Sequence, residues 1–469
     1  PDTVRFLIDE NGAVITRSDS NERSNRWRIF AYDGDAPRLL MENTSSTGDP
    51  LSIYGLLPDG RLAAVDQDAN NEFFVVYAID RNSGRSELIF RREGYEIENV
   101  MIDPWTRRVV GARWTEVERA QHFFDPALQA IYEQVRAVAP GGSSRIVSWS
   151  RDRNRVLVYR EVGMDGGAYY LFTPADRRML RVAQIYPELA AAQPGERQSL
   201  TYPARDGERI PAYLTLPRGV EARDLPLVLL VHGGPHRRDT LDFDWWAAFL
   251  ASRGYAVLQP NFRGSSGYGA SWERAGRGQW GGVMQTDVED GVAALARAGI
   301  ADPRRVCIVG ASYGGYAALA GATLTPDRYR CAASVAGVTD LVAFLRERSN
   351  QGGGRHSSVS DFWRLSIGDR EEDRERIRAV SPANLAERVT IPILLMHGTD
   401  DTIVPIEQSR RMRARLTAAG KDVRFVELHG DDHYLSDEET RIQMLRELET
   451  FLAQNLRAPA LAAARPSAQ

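Results

Sequence analysis

The second half of the sequence alternates short, unbroken apolar runs with stretches of helical periodicity, and no other feature restricts the fold more. The apolar runs occupy residues 227–231, 256–260, 305–309, 332–336 and 393–396, and helical stretches such as 245–252, 287–298 and 316–323 lie between them. Such runs are typical of parallel strands that helices cover on both faces. The alternation therefore predicts a doubly wound α/β sheet within residues 191–457.

Residues 1–190 have a different pattern, in which a turn signal followed by an apolar strand recurs. The strands after these turns start at Val14, Leu62, Val109 and Val156, and the last three starts are 47 residues apart. Each period holds about four strands, which is the content of one propeller blade. A β-sandwich would show turn signals about every 8 to 12 residues without a longer period. We therefore predict an all-β propeller domain with about four blades visible, interrupted by an inserted helix at 124–138.

Two further expectations concern the ends of the chain. Four blades do not obviously close a ring, and an open arc leaves strand edges in water. Because the chain starts at Pro1 rather than Met, we expect further blades upstream, in a fragment that completes the propeller. At the other end, residues 458–469 have too little to bury, which predicts a disordered tail.

Composition excludes several classes of function. The 59 basic and 63 acidic residues give a net charge of −4, so there is no electrostatic reason to expect nucleic acid or an anionic membrane as a partner.

Cys307 and Cys331 both lie in apolar runs and are expected to be buried free thiols. The sequence indicates neither the oligomeric state nor the compartment, and a cytoplasmic and a periplasmic location both stay open.

The strongest motif is the G-x-S-x-G of residues 310–314. It directly follows the apolar run at 305–309 and precedes a helical stretch that starts near Tyr316. In this strand-turn-helix context the glycines permit a sharp turn, and the turn exposes the serine hydroxyl. The motif thus predicts an α/β-hydrolase domain with Ser312 as its nucleophile.

A serine hydroxyl needs a base that takes its proton, and histidine is the usual one. In this fold the chain order is serine, acid, histidine, which leaves His397, His429 and His433 as candidates. His397 ends an apolar strand and His429 closes the strand at 423–428, whereas His433 lies in the loop beyond. This placement favours His433.

The acid and the oxyanion hole follow from the same fold. The acid is expected after the 393–396 strand, where Asp400 and Asp401 compete and the local residues do not separate them. One oxyanion donor is expected from the backbone of Tyr313, and the other from the glycine-rich loop at 232–235. His232 and His236 lie four residues apart, but the loop is not helical and nothing completes a ligand set. We expect no metal and no cofactor.

Together these segments resemble the prolyl oligopeptidase family of serine peptidases, most closely its acylaminoacyl-peptidase and dipeptidyl-peptidase-like branches. The matching segments are HGGP at 232–235, NFRGSSGYG at 261–269, GASYGGY at 310–316, HGTDD at 397–401 with Val404 and Pro405, and GDDH at 430–433. The resemblance implies an α/β-hydrolase domain with a β-propeller over the active site. Members usually have seven blades, more than are visible here.

The resemblance also implies specific roles. It selects Asp401 over Asp400 as the acid, favours His433 as the base, and assigns the oxyanion donors to Tyr313 and Gly234. The dipeptidyl-peptidase branch has a tyrosine at the position of His232, so a histidine there is similar to the acylaminoacyl branch.

The family's first specificity pocket corresponds to four apolar residues: Val338, Leu341, Phe344 and Val404. This lining implies a hydrophobic residue ahead of the scissile bond, although Leu341 departs from the family's more aromatic lining.

The resulting hypothesis is a serine peptidase that hydrolyses short peptides through an acyl-enzyme, as an exopeptidase or in an acylaminoacyl-peptidase-like manner. A lasso-peptide isopeptidase and a carboxylesterase acting on small esters are alternatives with the same triad. A propeller binding module with a vestigial hydrolase is the alternative without catalysis. The residues that would clamp a substrate's N-terminus, and hence the cleavage mode, are not identified by the sequence.

Overall fold

A computed structural model describes residues 3–21, 26–34, 36–44, 51–189, 194–351 and 358–456. The predicted disordered tail at 458–469 lies outside these residues. The chain divides into two compact units: unit 1 is Pro1–Val162, Gly167–Ile185 and Gly267–Ser271, and unit 2 is Gly163–Gly166, Tyr186–Ser266 and Trp272–Gln469. Among the helices of the described residues, none is long and apolar enough to span a membrane.

Unit 1 consists of small antiparallel sheets whose strands follow one another in chain order, as in propeller blades. The first sheet contains β1 (Thr3–Ile8), β2 (Val14–Asn21), β3 (Arg26–Tyr32) and β4 (Pro37–Thr44), and the second β5 (Ser52–Leu56), β6 (Leu62–Gln67), β7 (Phe74–Ile79) and β8 (Ser86–Phe90). The third contains β9 (Asn99–Ile102), β10 (Val109–Thr115) and β11 (Arg119–Phe123), and the fourth β12 (Ser143–Trp149), β13 (Val156–Glu161), β14 (Ala168–Thr173) and β15 (Arg178–Gln184).

The repeat that the sequence predicts coincides with these blades. Val14, Leu62, Val109 and Val156 are the first residues of β2, β6, β10 and β13, the second strand of each sheet. The predicted all-β fold of this region is therefore confirmed for the described residues, while the number of blades stays a prediction.

The third blade differs because helix α1 (Pro126–Val138) follows β11 where the other blades have a fourth strand. The Gln129 side chain of α1 accepts a hydrogen bond of 2.9 Å from the backbone N–H of Phe123 at the end of β11. The Gln121 amide also bonds both the N–H (2.8 Å) and the C=O (2.9 Å) of Ile146 in the next blade. Side chains thus occupy part of the strand edge that would otherwise be unpaired, and the predicted inserted helix is confirmed.

Unit 2 is built on one sheet of eight strands, in the order β16-β17-β19-β18-β20-β21-β22-β23. The strands are β16 (Glu196–Pro203), β17 (Arg209–Leu216), β18 (Leu225–Val231), β19 (Ala256–Pro260), β20 (Ala301–Ala311), β21 (Cys331–Val335), β22 (Ile393–Gly398) and β23 (Val423–Leu428). The β16–β17 and β17–β19 pairs are antiparallel and the others parallel. The predicted α/β-hydrolase arrangement is confirmed.

Helices lie between these strands and after the last one. They are α2 (Trp245–Ala251), α3 (Ala270–Ala275), α4 (Val283–Arg297), α5 (Tyr313–Leu324), α6 (Leu341–Gln351), α7 (Ser358–Ile367), α8 (Arg374–Ala379), α9 (Glu407–Ala418) and α10 (Glu438–Leu456), with short 3₁₀ helices at Pro326–Arg328, Pro382–Asn384 and Ala386–Arg388.

Both faces of the central sheet are buried, which explains the unbroken apolar runs. In β18, Leu227 and Leu229 belong to one apolar cluster, whereas Val228 and Leu230 belong to another. Alternate side chains of a strand point to opposite faces, so a strand covered on both sides needs apolar residues at every position.

One expectation from the sequence is wrong. Cys307 and Cys331 were expected to be free thiols, but the structure joins them in a disulfide. They occupy directly opposite positions of β20 and β21, with Cα atoms 4.8 Å apart, within the range that a disulfide spans. The register between the two strands, which the sequence does not display, brings the cysteines together.

Candidate active site

Ser312 occupies a sharp turn between β20 and α5. Its backbone has φ 58° and ψ −118°, a conformation that residues with a side chain rarely adopt. Helix α5 begins at Tyr313, three residues before the start that apolar periodicity suggested. The difference arises because the first turn of α5 contains Gly314 and Gly315, which carry no periodic apolar side chain.

The glycines of the turn are required by close packing. A Cβ atom on Gly310 would lie 2.6 Å from the carbonyl oxygen of Val231, and one on Gly314 would collide with the same oxygen. On Gly315 it would lie 2.7 Å from the Ser334 hydroxyl. Any side chain at these positions would push α5 away from the strand ends, so the G-x-S-x-G pattern reflects the packing that holds Ser312 in place.

Asp401 and His433 lie in hydrogen-bond contact. His433 Nδ1 donates to Asp401 Oδ2 at 2.7 Å, and the Asp401 Oδ1 atom accepts the backbone N–H groups of Ile403 and Val404 at 2.8 Å each. A carboxylate only accepts, so the proton is on Nδ1, and Nε2 of the neutral ring is left as an acceptor. This is the tautomer that a general base in a serine hydrolase requires.

The charge of Asp401 is maintained by its hydrogen bonds. Burial by itself would raise the pKa of this carboxyl, but hydrogen bonds from His397, His433 and the backbone N–H of Val404 outweigh burial and hold the pKa well below its ordinary value. Asp401 is therefore ionised at neutral pH.

The loops that carry Asp401 and His433 are bonded to each other. A Cβ atom on Gly398 would meet the carbonyl oxygen of Asp431, and the same oxygen accepts the N–H of Asp400 at 3.0 Å. The N–H of Gly430 donates to the Thr399 hydroxyl at 2.8 Å. The loop that follows β23 is thus held against the end of β22.

The structure separates the candidates that the local sequence left open. The Asp400 carboxylate is exposed and accepts a bond of 3.0 Å from the Thr399 hydroxyl, and His429 is also exposed. His433, in contrast, keeps 10% of its side chain accessible while it contacts the buried Asp401 carboxylate.

His232 orients the glycine-rich loop. Its Nδ1 donates to the carbonyl oxygen of Gly233 at 2.8 Å, and its Nε2 accepts from the Ser265 hydroxyl at 3.0 Å, while Phe262 stacks on the ring at 4.4 Å. Desolvation lowers the pKa of His232 to about 4, so the ring is neutral at neutral pH. The Gly233 carbonyl and the Gly234 N–H share one peptide group, and the ring therefore fixes the direction of the predicted oxyanion donor.

This loop lies beside Ser312. A Cβ atom on Gly233 would be 3.3 Å from Ser312 Cβ and 4.0 Å from Ser312 Oγ. Tyr313, the other predicted donor, is the first residue of α5, so its N–H has no acceptor within the helix. The Tyr313 ring is buried against Trp280, with ring centroids 4.6 Å apart.

The predicted specificity residues lie together in the interior. Val338, Leu341, Phe344 and Val404 are each 1% exposed or less and belong to the same apolar cluster. Trp363, which the sequence did not single out, packs its ring against the Phe344 ring at 4.9 Å. Contact of these residues with a substrate stays a prediction.

Residues 241–458 match the sequence profile of the prolyl oligopeptidase family, Peptidase_S9. The sequence of this part of the chain is therefore similar to that family. The chain is 29% identical over 463 residues to dipeptidyl aminopeptidase BIII of Pseudoxanthomonas mexicana, covering 95% of this chain and 64% of the relative. It is 30% identical over 486 residues to dipeptidyl peptidase family member 6 of Caenorhabditis elegans, covering 97% and 64%. The chain thus spans less than two thirds of the length of these relatives.

Solved structures share the fold. A puromycin-hydrolyzing peptidase of Mycobacterium tuberculosis superposes with a TM-score of 0.78 at 22% identity, covering 97% of this chain and 70% of that one. An acylaminoacyl peptidase of Pyrococcus horikoshii gives 0.72 at 20% identity, covering 98% and 71%. The profile match and the named relatives confirm the resemblance to the prolyl oligopeptidase family seen in the sequence motifs.

Proposed function

We propose that this chain is a serine peptidase that hydrolyses peptide bonds of short peptides through an acyl-enzyme. The main support is the arrangement of three residues in one unit. Ser312 is partly exposed, has a strained backbone and lies beside Gly233, and the same unit contains the hydrogen-bonded pair of Asp401 and His433. We assign catalysis to residues 191–457 and treat residues 1–190 as the propeller domain.

In the proposed reaction the Ser312 hydroxyl attacks the substrate carbonyl and passes its proton to His433 Nε2. Asp401 stabilises the resulting imidazolium, and the N–H groups of Tyr313 and Gly234 bind the oxyanion. The C–N bond then breaks, and the amine leaves with the proton from His433. Water, deprotonated by His433, attacks the ester of Ser312 and restores the free hydroxyl.

Two observations support an exopeptidase or acylaminoacyl-peptidase-like cleavage. Relatives are named dipeptidyl aminopeptidase and acylamino-acid-releasing enzyme, the latter from Arabidopsis thaliana at 31% identity over 46% of this chain. The apolar group of Val338, Leu341, Phe344 and Val404 favours a hydrophobic residue before the scissile bond.

The nucleophile is tested by covalent labelling with a fluorophosphonate. We expect labelling of the wild-type protein and its loss in Ser312→Ala, because the probe reacts only with a serine activated by a base. Ser83→Ala, which changes an exposed serine in the turn between β7 and β8, should label like the wild type. Labelling that persists in Ser312→Ala, or is absent from the folded wild type, would refute the proposal.

The substrate class is tested by cleavage of a mixed peptide library with free and acetylated N-termini, read by mass spectrometry. We expect one or two residues, or one acylated residue, to be released from short peptides. Turnover of small esters without cleavage of any peptide amide would identify a carboxylesterase instead.

A further inference from the structure

His397, which the catalytic mechanism does not use, makes a further contact with the acid. It lies near the end of β22 and is completely buried. Its Nε2 atom is 2.8 Å from the carbonyl oxygen of Val404 and 3.2 Å from Asp401 Oδ2. On the other side, its Nδ1 atom is 2.8 Å from the hydroxyl of Ser409 in α9.

These partners determine the position of the ring proton. The Val404 carbonyl and the Asp401 carboxylate can only accept hydrogen bonds, so Nε2 carries a proton and shares it between them. In the neutral ring Nδ1 then accepts the Ser409 hydroxyl proton. Asp401 Oδ2 consequently lies between two imidazole donors, Nε2 of His397 and Nδ1 of His433.

We infer that His397 is a positioning residue for Asp401: its Nε2–H orients the carboxylate toward His433 and offsets part of the negative charge that His433 experiences. The inference rests on the proposed serine hydrolase function. Val404 strengthens the arrangement because its N–H donates to Asp401 Oδ1 while its carbonyl accepts from His397. Asp401 is thereby bound on both oxygens.

Arg348 and Asp432 also interact electrostatically with Asp401, but neither makes a hydrogen bond to its carboxylate in the structure as His397 does. Arg348 of α6 attracts it, but the guanidinium hydrogen bonds at 3.4 and 3.5 Å go to the carbonyl of Thr402. Asp432, beside the base, repels it and is itself bound to Ser436 at 2.8 Å. Removal of His397 would therefore leave the interaction between Asp401 and His433 less attenuated.

Two conservative substitutions of His397 distinguish the contact of its Nε2 atom with Asp401 from the contact of its Nδ1 atom with Ser409. In His397→Gln the amide nitrogen reaches the position of Nε2 and retains the donor to Asp401. In His397→Asn the shorter amide reaches only the position of Nδ1, so that contact with Ser409 remains and the donor to Asp401 is lost. Ser409→Ala removes only the Ser409 contact.

The readout is the pH dependence of kcat/KM for a peptide found in the library, together with the rate of fluorophosphonate labelling. Without the His397 donor, Asp401 attracts the protonated base more strongly, so the acid limb should move to higher pH by about 0.5 to 1 unit in His397→Asn. His397→Gln and Ser409→Ala should keep the wild-type midpoint. A midpoint unchanged in His397→Asn, with only reduced thermal stability, would show a structural role and overturn the inference.

A measurement on the wild-type protein covers the case in which the variants do not fold. Long-range ¹H–¹⁵N NMR of histidine-labelled protein, with Ser409→Ala used for assignment, should place the His397 proton on Nε2. A proton on Nδ1 alone would overturn the inference. This result does not depend on catalysis, so it remains informative if Ser312 proves not to be a nucleophile.

Discussion

Replacing Asp239 by Asn should stabilise the protein at alkaline pH more than at acid pH. Among the described residues, Asp239 Oδ2 is buried and has no hydrogen-bond partner. The backbone around it is held by Asn261, whose side chain accepts the Asp239 N–H at 2.8 Å and donates to its carbonyl at 3.0 Å. The backbone of Asp239 is therefore held in place on both its N–H and its C=O.

The pKa of Asp239 determines how much the free energy of unfolding changes with pH. Burial, reinforced by the nearby Asp244 carboxylate and only partly offset by Arg197, Gln259 and Arg238, raises the pKa of Asp239 from 3.8 to about 7. The folded state therefore binds this proton more tightly than the unfolded state, and stability decreases as the pH rises from about 4 to 7. The full penalty is about 4 kcal/mol, and about 3 kcal/mol of it develops between pH 5 and pH 8.

The assay is urea unfolding of wild type and Asp239→Asn at pH 5 and pH 8. The change in unfolding free energy on substitution should be more favourable at pH 8 than at pH 5 by about 3 kcal/mol. Any contribution of the amide that is the same at both pH values cancels in this difference. Asp327→Asn, which alters an exposed carboxylate, serves as the control and should show no such difference. An equal effect of Asp239→Asn at the two pH values, or a larger benefit at pH 5, would refute the reasoning.

Two further pairs of variants test the acid and a buried ion pair. Asp401→Asn should lower kcat about 10⁴-fold, because it removes the acceptor that selects the tautomer of His433, whereas Asp400→Asn should change kcat little; comparable losses would contradict the assignment. Arg263→Met should lower the unfolding free energy by about 3 to 5 kcal/mol, because it leaves the Asp287 carboxylate, with 0% side-chain exposure, without its cation. The Arg304 side chain beside Asp302 is 88% exposed, so Arg304→Met should lower the unfolding free energy by at most about 1 kcal/mol. Equal losses for the two variants in urea unfolding would contradict the expected difference between the buried and the exposed ion pair.

Much of the fold could be predicted from local patterns in the sequence. The starts of β2, β6, β10 and β13 could be predicted because each blade repeats the same turn before its second strand. The strand that leads to Ser312 could be predicted because a strand covered on both faces is apolar at every position. The glycines around Ser312 form a local motif, although the backbone that leaves no room for a side chain there includes Val231 of the neighbouring strand β18.

By itself, then, the sequence determined the blade repeat, the order of the strands along the chain and the serine elbow, because each of them leaves a local pattern of residues in the sequence. Only the tertiary structure decided the disulfide between Cys307 and Cys331 and the attachment of His397 to both Asp401 and Ser409. The local residues left Asp400 and Asp401 open, the family resemblance selected Asp401, and the structure shows the contact of Asp401 with His433. These depend on the register of neighbouring strands and on loops from different strand ends. Adjacent carboxylates are chemically identical in the sequence, and only three-dimensional packing directs one to the histidine and the other to water.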